Sequence, residues 1–284
     1  MPMVPAPRTM ILLIAMIVLG IIVSLLVILT AIYFLVLVRP PKKTKPQKAL
    51  LCDYAHRGLH NGKDAPENSL AAFEAACQKG YGIELDVQLS HDGKVMVFHD
   101  YTLIRMTGCD KKLCELDAEE LTALTLGESD QKIPTFEEVL ALVNGRVPLL
   151  VELKGENLDT SLCKKVADML RDYQGPYCSE SFNPLLIGNM KKEMPEVFCG
   201  LLYTNVSREK KKNSLLNTLL TAMALNVVAR PDFIAFNKED RDSFPVKVTT
   251  KFYKAPKFVW TVNKQEELDT AHQNGEYPIF ENIF

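Results

Sequence analysis

The feature that most limits how this chain can fold is an apolar stretch of 30 residues, 9–38, without a charged side chain or a histidine. A helix needs about 20 apolar residues to cross the hydrocarbon core of a bilayer. The apolar region of a secretory signal has only about 7–15 residues, and no convincing cleavage site precedes Arg39. The sequence therefore predicts a transmembrane helix over residues 9–38 after a short tail, residues 1–8. A wholly soluble protein and a multi-span transporter are both excluded.

Charge differs on the two sides of this stretch. Arg8 precedes it, whereas five basic residues follow it, interrupted by prolines: Arg39, Lys42, Lys43, Lys45 and Lys48. This composition indicates a stiff, solvated linker over residues 39–50. Because basic residues accumulate on the cytoplasmic side of a membrane span, the rest of the chain is expected in the cytoplasm. Seven scattered cysteines, an odd number, also agree with a reducing compartment.

The remaining residues, 51–284, alternate short apolar runs with amphipathic segments, which is typical of a parallel sheet flanked by helices. Nine runs are predicted as strands: residues 51–56, 83–89, 95–99, 149–154, 177–182, 198–203, 233–236, 257–262 and 276–282. This length suits an α/β fold of the eight-stranded TIM-barrel type, which takes about 250 residues. A doubly wound open sheet is the alternative, although no glycine-rich phosphate loop follows the first strand. The net charge of −2 and the pI near 6.2 argue against nucleic-acid binding.

Nine strands are one too many for such a barrel. Only residues 90–94, with an Asp92-Gly93 turn, separate the second strand from the third. A parallel crossover needs about a dozen residues, whereas a tight turn suits an antiparallel hairpin. One arm of this hairpin is therefore expected outside the barrel wall. In the segment before it, a helix is predicted over residues 68–79, with Asn68 as its N-cap and Gly80 just past its end.

Charged residues occupy one face of two predicted strands. Glu84 and Asp86 share a face of the second strand, and Glu152 and Lys154 share a face of the fourth, while the alternate positions are apolar. In a barrel the charged face would point inward, where a charge is costly unless it is paired or bound to a metal. Three inward carboxylates predict a Ca²⁺ or Mg²⁺ site rather than a zinc site. Taken alone, the first pair also suits the wet face of an edge strand, and the second a cross-strand salt bridge.

Two histidines, His56 and His99, each end an apolar run, and Arg57 follows the first. A histidine at a strand end is more often structural than catalytic, and Arg57 alone would be an ordinary surface residue. Barrel enzymes, however, keep their active sites at strand ends. Together with the carboxylates, these residues therefore predict an active site.

The motifs around these residues resemble the glycerophosphodiester phosphodiesterase family. They are Ala-His-Arg-Gly at 55–58, Pro-Glu-Asn-Ser-Leu-Ala-Ala-Phe at 66–73, residues 83–89, Asp-Gly at 92–93, His-Asp at 99–100 with Thr-Leu at 102–103, residues 133–140, 151–154, Ser-Phe at 181–182 and Trp-Thr-Val-Asn at 260–263. The resemblance covers about residues 53–263. It implies a barrel fold and the metal-dependent hydrolysis of glycerophosphodiesters to glycerol 3-phosphate and an alcohol.

The resemblance also implies roles for individual residues. The family's general acid and base map onto His56 and His99, and we take His56 as the base and His99 as the acid, although the residues do not decide between them. The other implied roles are cation binding by Glu84, Asp86 and Glu152, contact with the substrate phosphate by Arg57 and Lys154, and a place near the site for Glu67. The family's variable insertion corresponds to residues 101–133 and is expected to cover the site.

Several alternatives remain open at this point. The chain departs from the family's closing motif over residues 275–282, so the last strand and its rim are not specified. The attacking group is either water or the 2-hydroxyl of the substrate's glycerol. The apolar helix makes a lysophospholipase D or a sphingolipid phosphodiesterase, acting on membrane lipids, a second candidate. A catalytically inactive, membrane-bound binding module is the candidate of another class.

Overall fold

The computed structural model of the protein describes residues 7–40, 46–155, 159–206, 208 and 214–283. The strands in these residues are β1 Tyr54–Ala55, β2 Gly82–Leu89, β3 Val95–Val97, β4 Leu149–Leu153, β5 Tyr177–Ser181, β6 Cys199–Tyr203, β7 Phe233–Asn237, β8 Lys257–Val262 and β9 Tyr277–Phe280. The α-helices are α1 Pro7–Ile32, α2 Leu70–Lys79, α3 Ile104–Thr107, α4 Ala118–Ala123, α5 Phe136–Val143, α6 Ser161–Asp172, α7 Pro184–Glu193, α8 Leu215–Thr221, α9 Asn226–Ala229, α10 Phe244–Lys247 and α11 Gln265–Gln273. Shorter helical turns lie at Tyr33–Leu37, Lys48–Leu50, Leu113–Glu115, Lys238–Asp240 and Val248–Phe252.

Among the described residues, eight strands form a closed parallel barrel in the order β1-β2-β4-β5-β6-β7-β8-β9, because β1 pairs with both β2 and β9. The ninth strand, β3, pairs antiparallel with β2, with Val97 opposite Val87. The predicted TIM barrel is therefore confirmed, as is the hairpin arm outside its wall. The open doubly wound sheet is excluded, because its edges would not meet.

Alternation along the strands produces two separate apolar layers. One set of side chains, such as Leu85 and Val151, packs outward against the helices. The other set fills the N-terminal half of the barrel interior, where Tyr54, Phe233 and Phe258 are buried. Aromatic rings thus fill the N-terminal half of the interior, and polar side chains occupy the half at the carboxyl ends of the strands, as expected for a barrel enzyme.

The start of α2 differs from the prediction. Ser69 is its N-cap, and the Ser69 hydroxyl accepts a hydrogen bond from the Ala72 N–H at 3.1 Å. Asn68 has a positive φ of 55° and donates instead to Asp86 at 2.7 Å. The prediction of Asn68 as the cap was wrong because its side-chain oxygen, which would have to accept from the helix N–H groups, accepts instead from the Asp86 N–H at 3.4 Å. The helix ends at left-handed Gly80, as expected.

The N-terminal apolar stretch forms α1 and the turn Tyr33–Leu37. Together Met10–Leu37 make a helix of 28 residues with mean hydropathy 3.4, long and apolar enough to cross a membrane. Within the predicted linker, residues 41–45 lie outside the described residues. On either side of them, Val38 and Leu50 are buried, so the flanks of this segment pack against the barrel.

Candidate active site

Three neighbouring strands place carboxylates at one level of the barrel interior. Asp86 of β2 is in register with Glu152 of β4, and Glu152 is in register with Glu180 of β5. Glu84, one inward position earlier on β2, joins them, and oxygens of Glu84, Asp86 and Glu152 lie within 4.8 Å of one another. All four side chains are buried, which excludes the wet face of an edge strand. The predicted cation ligands are thus brought together.

The two cationic side chains beside this cluster, Lys154 and Arg57, both lie close to Asp86. Lys154 Nζ lies 2.9 Å from Asp86 Oδ1 on the neighbouring strand and 2.7 Å from Glu152 Oε1. Arg57 Nε lies 3.6 Å from Asp86 Oδ2. Burial opposes the ionisation of Asp86, but Lys154, His99 and Arg57 outweigh it and hold the pKa of this carboxyl well below its usual range.

In the other carboxyl groups of the cluster, neighbouring cations do not outweigh burial. Burial, with the charges of Asp86 and Glu152 beside it, raises the pKa of Glu84 well above its ordinary value. Burial likewise raises the pKa of Glu152 to about 7, and that of Glu180 well above its ordinary value. Glu180 Oε2 is buried without a hydrogen-bond partner among the described residues.

Excess negative charge and an orphaned carboxylate oxygen are what a bound divalent cation would relieve. The donors are all oxygen atoms, which suits Ca²⁺ or Mg²⁺. The residues therefore fit a hard cation, and Glu84, Asp86 and Glu152 are the side chains that would hold it. Glu180 was missed from the sequence, although its inward parity on β5, two residues before Phe182, is the signal that could have revealed it.

His56 lies at the carboxyl end of β1 beside the acidic cluster. Its Nδ1 is 2.9 Å from Glu281 Oε2, and its Nε2 is 3.9 Å from Glu84 Oε2. Burial lowers the pKa of His56, and the hydrogen bond with Glu281 opposes this change. Glu281 was also missed in the sequence analysis, because it lies in the atypical C-terminal segment. Its position directly after the last strand is the signal that could have identified it.

His99 lies after β3, on the other side of the cluster. Its Nδ1 is 2.6 Å from Asp100 Oδ1, and Arg105 donates to Asp100 at 2.5 Å. Arg105 also donates to both oxygens of Glu67, at 2.9 and 2.7 Å, and Arg57 donates to Glu67 at 2.9 Å. Glu67 therefore lies near the site, where it links the two arginines. The insertion, which carries Arg105, contacts Asp100 and Glu67 beside the site.

One pocket connects these groups. Its polar side is lined by His56, Arg57, Glu84, His99, Glu152, Lys154 and Glu180, and its apolar side by Phe182, Leu202, Trp260 and Ile279. The Phe182 and Trp260 rings meet edge to face, with their centroids 5.5 Å apart. A ligand in this pocket would contact charge on one side and apolar surface on the other.

The side chain of Gln88 holds the loop that carries His99. The side-chain amide of Gln88 donates to the backbone carbonyls of Phe98, His99 and Asp100, at 2.8, 3.2 and 2.9 Å. Gln88 is the third inward position of β2, after Glu84 and Asp86. One strand thus supplies two acidic side chains and also holds the loop opposite them.

This fold and site are those of a barrel phosphodiesterase family. The chain belongs to the glycerophosphoryl diester phosphodiesterase family, whose sequence model matches residues 56–282. The resemblance seen in the motifs is therefore confirmed.

Two curated relatives show how far this similarity extends. The glycerophosphodiester phosphodiesterase of Caldanaerobacter subterraneus is 35% identical over 160 residues, which are 52% of this chain and 65% of the relative. Human glycerophosphodiester phosphodiesterase 1 is 32% identical over 163 residues, which are 52% of this chain and 48% of the relative. The chain thus matches less than two thirds of the length of either relative.

Solved structures share the fold over a greater length. The glycerophosphodiester phosphodiesterase of Thermotoga maritima superposes with a TM-score of 0.62 at 26% identity, over 81% of this chain and 94% of the other. An Oleispira antarctica phosphodiesterase, solved with the product sn-glycerol-3-phosphate, superposes with a TM-score of 0.66 at 24% identity, over 81% of this chain and 92% of the other. The barrel of this chain is therefore the family's barrel.

Proposed function

We propose that this protein hydrolyses glycerophosphodiesters to glycerol 3-phosphate and an alcohol, with a divalent cation at the carboxylate cluster. The observation that carries the proposal is the cluster of Glu84, Asp86 and Glu152 in one pocket with two histidines. The activities named for the relatives support the same substrate class. A cation held by these carboxylates would neutralise charge on a phosphoryl oxygen.

The two histidines are suited to proton transfer. In each, Nδ1 faces a carboxylate, Glu281 for His56 and Asp100 for His99, which orients the ring. We assign His56 as the base that takes the proton of the attacking water or 2-hydroxyl, and His99 as the acid that protonates the leaving alkoxide. Each role contributes about 10²–10⁴-fold to the rate. The matching carboxylate contacts support either order of these roles.

The substrate phosphate is assigned to the cationic side chains. Arg57 lines the pocket, and its guanidinium offers N–H groups beyond the one that donates to Glu67. A guanidinium donates well to phosphate oxygens. Lys154 contributes positive charge to the same pocket, although it is also held by Asp86 and Glu152. Glu67 positions Arg57 from behind.

The test is a panel of glycerophosphodiesters, assayed for glycerol 3-phosphate with Ca²⁺, with Mg²⁺ and with excess chelator. Activity should require one of the cations. His56→Ala and His99→Ala should lower kcat at least about 100-fold with little change in KM. The control is His91→Ala, an exposed histidine on the turn between β2 and β3, which should retain activity. Full activity in chelator, or a His99→Ala effect mainly on KM, would contradict the proposal.

A lysophospholipase D activity is the second candidate function. Phe182, Leu202, Trp260 and Ile279 make one side of the pocket apolar, which suits a substrate with an acyl chain. Turnover of lysophosphatidylcholine should then exceed that of glycerophosphocholine at equal concentration. A sphingolipid phosphodiesterase would turn over the corresponding sphingolipid instead. If the protein hydrolyses none of these substrates in the presence of Ca²⁺ or Mg²⁺, the inactive binding module is the better description.

We further propose that residues 9–38 are retained as a single membrane span, with the barrel, residues 51–284, in the cytoplasm. The five-to-one excess of basic residues after the span supports this orientation. Protease added to intact cells should leave the barrel undigested, and should digest it after lysis. Digestion without lysis would place the barrel on the other side of the membrane.

A further inference from the structure

The end of the apolar helix is bonded to the barrel wall. Tyr33 Oη donates to the Ala222 carbonyl at 3.1 Å, at the end of α8. Tyr253 Oη donates to the Phe34 carbonyl, and Val38 is fully buried. These contacts fix residues 33–38 on the flank of the barrel formed after β6 and β7. The barrel therefore does not hang freely from the helix.

Large apolar side chains surround this junction and face solvent. The anchor-side patch consists of Val228, Phe244 and Phe252, which are 44, 61 and 66% exposed. Its rings continue the surface of the helix, since Phe244 stacks on Tyr33 and Phe252 meets Phe34 edge to face. Contiguous apolar surface of this kind marks a partner or a membrane.

The length of the helix places this junction near the lipid headgroups. At 1.5 Å per residue, the 28 residues of Met10–Leu37 extend about 42 Å, whereas the hydrocarbon core is about 30 Å thick. About eight residues therefore reach beyond the core. Counted from the far side of the bilayer, they include Tyr33–Leu37, which contact the barrel.

Charge beside the patch indicates the kind of surface it meets. Exposed Lys251 and Lys254 flank Phe252 and Tyr253 in the sequence. Aromatic rings concentrate at the membrane interface, and each lysine near anionic lipid adds about 1 kcal/mol of attraction. An anionic bilayer surface would attract these lysines. A second copy of the chain would bring the same lysines opposite them, and the like charges would repel each other.

We propose that the anchor-side patch lies in the headgroup region of the membrane that holds the helix, so that the barrel rests on its flank against the bilayer. This inference rests on the proposal that the helix is retained as a span. It adds a second membrane contact, made by the barrel itself, and a fixed orientation of the active site relative to the lipid surface. The occupant is the lipid surface, and a second copy of the chain is the rival that the test must exclude.

The opposite flank of the barrel provides a matched control. In the strand order of the barrel, α8 to α10 lie beside β6 to β8, and α2 lies between β1 and β2, across the ring. Lys79 is an exposed residue at the end of α2. A reporter at Lys79 should therefore face water when a reporter at Phe252 faces lipid.

The experiment uses the full chain in phosphatidylcholine–phosphatidylserine nanodiscs, with or without bromine on the acyl chains. Bromine quenches nearby tryptophan, and the chain's single tryptophan, Trp260, sets the wild-type baseline. Phe252→Trp and Phe244→Trp should each lose about half or more of their added fluorescence in brominated nanodiscs. Lys79→Trp should lose none. The readout needs no turnover, so it stays informative if the proposed activity is wrong.

Circular dichroism checks that each variant is folded. Reporters are placed at both 244 and 252 so that a local distortion caused by one substitution does not decide the result. Equal quenching at positions 79 and 252 would overturn the inference. So would unquenched reporters at both 244 and 252, which is the result expected if a second copy covers the patch. A mature protein that begins after residue 39, seen by intact mass, would overturn both the anchor and the patch.

Discussion

Glu84→Gln should stabilise the metal-free protein while it abolishes cation binding. Glu84 is buried beside Asp86 and Glu152, and its pKa is raised by that burial and those charges. Gln is neutral and of nearly the same shape, and its side-chain oxygen can still accept the bond that the Arg57 N–H donates at 2.9 Å. Removing the cost of burying or protonating this carboxyl group should raise the free energy of unfolding by about 2 kcal/mol.

Asp86→Asn, a chemically similar change two residues away, should have the opposite effect. Asp86 is paired with Lys154 at 2.9 Å and with Asn68 at 2.7 Å. If the substituted amide accepted from Asn68, its own NH₂ group would turn toward the lysine ammonium, donor against donor. Because Lys154 and Arg57 lose the charge of this partner, the free energy of unfolding should fall by about 3 kcal/mol.

The pH dependence of stability tests the direction of the Glu84→Gln effect a second time. In the metal-free protein, burial raises the folded-state pKa of Glu152 to about 7, so the folded chain holds more protons than the unfolded chain. The stability that this proton contributes is complete below about pH 4 and is lost as the pH rises through about 7. Glu84 acts in the same direction, so the advantage of Glu84→Gln over wild type should grow with pH.

The assay is thermal melting in chelator, followed by titration with Ca²⁺ or Mg²⁺. A change of about 2 kcal/mol should move the melting temperature by roughly 4–8 °C in a domain of this size. Cation at about 100 times its Kd should stabilise the wild type by about 2.7 kcal/mol, and Glu84→Gln much less. A Glu84→Gln protein that melts below wild type in chelator, or responds fully to the cation, would refute the reasoning.

Three further changes have separate readouts. Glu281→Gln removes the charge facing His56 and should lower kcat at least about tenfold at unchanged KM in steady-state assays; an unchanged kcat would remove Glu281 from the site. Arg105→Lys removes the guanidinium that donates to both Asp100 and Glu67, and it should lower kcat. It should barely change the melting temperature, because Arg105 is half exposed. Gly200→Ala would bring a Cβ within 2.0 Å of the Phe233 ring and should cost about 1–3 kcal/mol in denaturant unfolding.

Period and spacing in the sequence were enough to predict most of the architecture. Strands with alternating side chains are local features, so β2 and β4 could be located from their own residues, and the short turn after β2 required a hairpin. The inward face of Glu84 and Asp86 followed from parity alone, because successive side chains of a strand point to opposite sides. Residues with this local signal, together with His56 and His99, could therefore be identified from the sequence alone.

Contacts between distant segments were decided only by the closed barrel. Glu281 reaches His56 because β9 pairs with β1, 225 positions earlier in the chain, and the atypical C-terminal segment carried no motif for this pairing. Asn68 does not cap α2, because both ends of its amide are bound to Asp86: the NH₂ group donates to the carboxylate and Oδ1 accepts from the backbone N–H. Closure brings together residues that no local pattern relates, so the electrostatic balance of the site is a property of the folded chain.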